Sequence, residues 1–200
     1  MDDDPPAPDA PSASLDLYWI PLGAGNRVVQ FSGRTFEAIA ARWDRRSPCA
    51  LYHSALVASL GDDRYYIEMT PVPGGSRAPT DRGVVAVGTV GTALARGIRV
   101  FRYEIRRWRN GTIPDLSAAI GDPVRVSNEE RDVAAALDAV PDVPTPVWGR
   151  DELGAGEMWN SNSVVSWILT VSGLIDGAGG PPRGGRAPGW DAGITVALRR

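Results

Sequence analysis

Apolar and polar positions divide the chain into short strands and few helices. Leu15 to Leu22 reads as a first strand, ended by Gly23-Ala24-Gly25-Asn26. Phe36, Ile39, Ala40 and Trp43 recur at helical spacing, so a helix capped by Ser32 or Thr35 is expected to run to Arg46 and stop before Pro48. Ala50 to Leu60, the turn Gly61-Asp62-Asp63 and Arg64 to Thr70 form a hairpin pattern. It carries Tyr52 and His53 on one strand and Tyr66, Ile67, Glu68 and Met69 on the other.

A polar loop is expected from Pro71 to Gly83, then strands over Val84 to Val90 and Ile98 to Ile105 and a tight turn at Asn110-Gly111. Ser127-Asn128-Glu129-Glu130 has capping-box spacing and should open a helix to Val140. A Pro/Gly-interrupted loop follows from Pro141 to Met158, then a helix from Ser161 to Ser172 that Gly173 stops. Asp176 to Gly189 reads as a second such loop, and Ile194 to Leu198 as a closing strand. This order predicts an α+β fold, a mainly antiparallel sheet packed against about three helices. Residues 1–14, rich in Asp, Pro, Ala and Ser, read as a disordered tail before a single domain over 15–200.

Composition narrows the function classes. The net charge of −3 does not suit a dedicated nucleic-acid binder. All 21 basic residues are arginine, which removes Schiff-base and P-loop lysine chemistry. One histidine and the single Cys49 do not make a conventional metal site, so neither metal nor cofactor is expected. The acidic N-terminus is unlike a signal peptide and no apolar run reaches the ~20 residues of a spanning helix. A cytoplasmic protein is the expectation.

The chemistry-bearing run is Trp159-Asn160-Ser161-Asn162-Ser163, which precedes the apolar positions of the last long helix. A hydroxyl nucleophile needs a base to take its proton, and a helix N-terminus offers free N–H groups to developing negative charge. Ser161 is the candidate nucleophile and His53, on a strand expected to face that helix, the candidate base. Glu68 and Tyr66 on the neighbouring strand are the candidates to orient the imidazole. Asn160, Asn162, Ser163, Tyr52, Tyr66 and Trp159 are candidate oxyanion or substrate contacts. Ser and Asn are also preferred helix caps, so capping alone accounts for the same run.

The sequences Tyr52-His53-Ser54-Ala55-Leu56-Val57 and Asn160-Ser161-Asn162-Ser163-Val164-Val165 resemble the circularly permuted papain-like superfamily. This group includes the PPPDE peptidases, the lecithin retinol acyltransferase group and permuted NlpC-like peptidases. In its members an aromatic-His strand precedes an Asn-Cys-Asn helix start. The resemblance implies a papain-like hydrolase (peptidase, amidase or acyl transferase) with His53 as general base and Ser161 in the place of the cysteine. Cys49 does not substitute, because four residues along a strand is ~13 Å. Asn160 to Ser163 followed by Gly185-Arg186-Ala187-Pro188-Gly189-Trp190-Asp191-Ala192-Gly193 resembles a serine-bearing bacterial branch of this group.

The alternative is a catalytically inactive module of the same fold whose cleft binds a peptide, glycan or acyl small molecule. Val84 to Gly91 lacks the Gly-x-Gly-x-x-Gly spacing of a nucleotide turn. Arg102 to Arg109 alternates as a strand with one charged face rather than as an RNA contact. Asn110-Gly111-Thr112 reads as a turn rather than a glycosylation site. Trp148, Trp159 and Trp190, with Arg150 and Asp151, are expected to rim a cleft near Ser161.

Overall fold

The computed structural model describes residues 12–23, 45, 47–72, 82–91 and 101–200. The expected helix from Ser32 or Thr35 to Arg46 lies outside them except for Arg45, as do residues 73–81 of the polar loop and 98–100 of the strand expected from Ile98. The fold is α+β. A seven-stranded sheet contains β1 (Ala13–Pro21), β2 (Ala50–Leu60), β3 (Asp63–Pro71), β4 (Val84–Thr89), β5 (Arg102–Arg109), β6 (Val124–Ser127) and β7 (Gly185–Arg186), in the order β4-β5-β3-β2-β1-β6. Every pairing on that path is antiparallel; β7 lies off it and pairs in parallel with β2. Among the described residues four α-helices accompany it: α1 (Glu130–Ala139), α2 (Ser161–Val171), α3 (Ile175–Ala178) and α4 (Trp190–Ala197).

The two-residue period of a strand sends neighbouring side chains to opposite faces. On β2, Leu56 and Ala58 join Leu15, Ile67, Ile105, Val165 and Leu169 in the main core beneath the helices. Ala55 belongs to the other face, where it packs with Ile20 and Ile113. α2 is buried at nine of its 11 residues because the sheet takes one side and α4 the other. α4 approaches closely through Gly193, where a Cβ would stand 2.1 Å from the Ser163 carbonyl oxygen. Trp190 then stacks against Trp19 of β1, ring centroids 4.9 Å apart.

Several expected elements change. Ile194 to Leu198 is not a strand but lies largely within α4: the small residues Ala192 and Gly193 let this segment seat as a helix against α2, overriding the strand preference of Ile194 and Val196. Of the strand expected over Ile98 to Ile105, residues 102–105 lie in β5, which continues to Arg109. Its charged face is buried: Glu104 and Arg106 are 4% and 6% exposed and pair with each other. The box at Ser127 does not cap α1. Glu129 is the N-cap without a side-chain cap bond, while Ser127 Oγ accepts from the Glu129 amide and donates to Asp132. Ala13 and Ser14, assigned to the tail from composition, are buried in β1, and β6 is a strand the pattern did not reveal.

The sheet is forked. β2 and β3 pair from Leu60↔Asp63 only as far as Leu56↔Ile67. Beyond that point β3 continues beside β5 to Pro71↔Tyr103, while β2 stays beside β1. The edge of β2 that β3 leaves is taken at Ala50 and Leu51 by β7. Between these two pairings the sheet is open.

Candidate functional site

A cleft of about 540 Å³ occupies this fork. His53 lines it from β2, and Glu68, Met69, Thr70 and Pro71 line it from the diverging end of β3. Leu22 and Gly23 also line it; Pro114, Asp115, Ser117 and Ala118 enter from the face opposite the helices; Trp148 and Ser161 are on the wall as well. His53 thus lies on the opposite face from Ser54, the residue that touches α2, and not on the helix-facing side expected from the sequence. It shares a cleft with Ser161 because the sheet is open between β2 and β3.

The N-terminus of α2 is fixed by a dense set of side-chain bonds. Asn160 is the N-cap: its Oδ1 accepts from the amides of Asn162 at 2.9 Å and Ser163 at 3.4 Å, and Ser163 Oγ accepts from the Asn160 amide. These satisfy two of the first-turn donors that every helix leaves open. The Ser161 amide remains as a first-turn donor to which no described group bonds. The side-chain amides of Asn160 and Asn162 both donate through Nδ2 to the Pro188 carbonyl. Asn162 also donates to the Tyr52 carbonyl at 3.0 Å and accepts from Ser54 Oγ at 2.9 Å, which ties α2 to β2.

The Gly-Arg-Ala-Pro-Gly-Trp-Asp-Ala-Gly segment is the counterpart of this run. Ser163 Oγ donates to the Gly189 carbonyl and Ser166 Oγ to that of Trp190. Gly189 has φ of +85°, and a Cβ there would stand 2.7 Å from Asn160 Oδ1 and Ser163 Oγ. The Gly189 amide donates to Glu157. The two motifs lock together, which places Ser161 at the cleft wall, 8% exposed.

His53 Nε2 lies 3.0 Å from Asp115 Oδ2. Burial alone would push the Asp115 carboxyl up, but the hydrogen bond and charge interaction with His53 outweigh it and hold the group below its ordinary value. An ionised carboxylate only accepts, so in the neutral imidazole the proton sits on Nε2 and the lone pair on Nδ1. No hydrogen bond joins Ser161 to His53. Asp115 begins a single 3₁₀ turn, Leu116–Ala118, yet its side chain caps nothing there and is spent on the histidine.

Glu68 lines the cleft but is not the imidazole's hydrogen-bond partner. Its Oε1 accepts from Arg106 Nη1 at 3.2 Å. Burial raises its carboxyl above the ordinary value, with Arg106 opposing and Asp115 adding to the rise. Arg106 also donates to Glu104, which Arg82 holds as well; these cations keep Glu104 low against the upward push of burial.

Of the residues singled out from sequence, Ser161, His53 and Glu68 meet at the cleft. Asn160, Asn162 and Ser163 do not line it, because their polar groups are taken up in capping and tethering. Tyr52 contributes its carbonyl to Asn162, and its ring packs where a Cβ on Gly185 would fall. Tyr66 packs with the Ile20, Ala55 and Ile113 cluster, under the Arg64 guanidinium. Trp159 is 2% exposed, inside the core. Among the rim residues, Trp148 lines the cleft; Trp190 is buried against Trp19, and Asp151 accepts from the amides of Ala155 and Gly156 in its own loop. Asp115 is the site residue that sequence reading missed.

Among the described residues, no three His, Cys, Asp or Glu side chains assemble as a metal site, and no helix is long and apolar enough to cross a membrane. Comparison of the chain with family models, curated proteins and solved structures finds no match.

Proposed function

We propose that the chain is a papain-like hydrolase or acyl transferase in which Ser161 is the nucleophile, His53 the general base and Asp115 the group that orients and supports the imidazole. The observation that carries this reading is the 3.0 Å contact between His53 Nε2 and Asp115 in a cleft that Ser161 shares. It commits Nε2 and leaves Nδ1 as the basic nitrogen. In the reaction Ser161 Oγ forms a bond to a substrate carbonyl carbon as its proton passes to Nδ1. The carbonyl oxygen becomes an oxyanion, which the Ser161 amide at the N-terminus of α2 receives. The imidazolium, stabilised by Asp115, returns the proton to the leaving group as its bond to carbon breaks. Water or a second nucleophile then releases the acyl group from Oγ.

A non-catalytic binding module in the same cleft is the second reading. What favours it is that Ser161 and His53 are not hydrogen-bonded to each other, although catalytic contacts are often longer in free enzymes. Ester turnover separates the two. Because the chain has no lysine, 4-nitrophenyl acetate meets few competing nucleophiles. The proposal expects a burst of 4-nitrophenol approaching one equivalent, lost in Ser161→Ala. A burst that persists in that variant, or none in the wild type, favours the binding module.

A further inference from the structure

Glu68 is the ionisable side chain on the described cleft wall to which the proposed reaction gives no task. Its Oε1 is held by Arg106, and no described group bonds Oε2. Arg106 is itself committed mainly to Glu104, which takes Nε at 3.0 Å and Nη2 at 2.8 Å. The guanidinium is therefore shared between two carboxylates and only partly offsets the one that faces the cleft. The other acid on the wall is Asp115, which is engaged by His53 Nε2. Leu22, Met69, Pro71 and Trp148 supply apolar surface, and among the described lining residues there is no arginine.

A ligand carboxylate or phosphate entering this space would face two acids, with no arginine among the described lining residues to receive it. A ligand cation would find the free oxygen of Glu68 in a partly desolvated site, where attraction is stronger than in water. We infer that the cleft takes substrates bearing a protonated amine or guanidinium, seated on Glu68 with the apolar part of the molecule against Met69 and Trp148. This rests on the function proposed above only for the choice of cleft. The upward push of burial on the Glu68 carboxyl is consistent with it, since a bound cation would supply the charge compensation that Arg106 gives incompletely.

The test is equilibrium binding to Ser161→Ala protein, which removes turnover. Alanine 4-nitroanilide, with a free ammonium, is compared by calorimetry with its N-succinyl derivative, which is anionic. The expected result is at least about tenfold tighter binding of the cationic probe, falling to within about twofold in Ser161→Ala/Glu68→Gln. The glutamine carbonyl keeps the Arg106 contact, and if the double variant does not fold, loss of the preference with rising salt serves instead. Equal or reversed affinities, a preference that survives both Glu68→Gln and salt, or no binding of either probe at millimolar concentration would overturn the inference. Ester turnover is read separately, so a cation preference without turnover sinks the hydrolase reading and leaves this one standing.

Discussion

Ser54 and Asn162, 108 residues apart, are joined by one buried hydrogen bond from Ser54 Oγ to Asn162 Oδ1 at 2.9 Å. With the bonds from Asn162 to the Tyr52 and Pro188 carbonyls, it sets the start of α2 against the strand that bears His53. The placement of Ser161 is therefore a consequence of its neighbour. Replacing Asn162 by Leu keeps the branching at Cγ but strips a buried hydroxyl and a backbone carbonyl of their partners. We expect a loss of roughly 2–4 kcal/mol in urea unfolding, against about 1 kcal/mol for Ser54→Ala.

Gly189 and Gly193 are predicted to be the least replaceable glycines around α2. Gly189→Ala meets both a positive φ and the oxygens of Asn160 and Ser163, and Gly193→Ala meets the Ser163 carbonyl and Ser166 Oγ. Each should cost on the order of 1–3 kcal/mol, whereas Gly154→Ala, with open space around it, should cost only the strain of its positive φ. Thermal unfolding of the three variants checks the order.

Much of this arrangement is legible in the chain, and the exceptions share a cause. The hairpin of β2 and β3 follows from alternation and a Gly-Asp-Asp turn, and α2 from its cap, apolar face and Gly173, whose φ is +72°. These are local signals. The segment of α4 carries β-branched Ile194 and Val196, and its helix is decided by contact with Ser163 and Ser166 about 30 residues earlier. Asp115 lies 62 residues from His53, in a loop where a Pro-Asp pair ordinarily announces only a turn. The fork depends on where β2 and β3 stop pairing, which no periodicity encodes.

Asp115 should matter to chemistry more than to stability. Asp115→Asn can still accept from Nε2, but it no longer supports an imidazolium and can bind the wrong tautomer. Acylation of Ser161 is expected to slow by roughly 10²–10⁴-fold with little change in melting temperature. Acylation at the wild-type rate in Asp115→Asn would reduce Asp115 to a structural role.

Acid should weaken the fold through Glu104 and Asp115. Both lie below their ordinary values of 4.5 and 3.8 in the folded chain, so the unfolded chain binds more protons as the medium is acidified. Their contribution is complete above those ordinary values and is lost as pH falls through the lower folded ones. Glu68 works in the opposite sense: its raised carboxyl disfavours the folded state at neutral pH, and that cost is relieved on protonation. Urea midpoints measured across the acid range should fall less steeply in Glu104→Gln than in the wild type.

The central claim, that Ser161 is a nucleophile activated by His53, is tested most directly by labelling with a fluorophosphonate and mapping the adduct by peptide mass spectrometry. One adduct is expected, on Ser161, absent in Ser161→Ala and strongly slowed in His53→Ala. Labelling that survives Ser161→Ala, or a wild-type chain that remains unmodified, would contradict it.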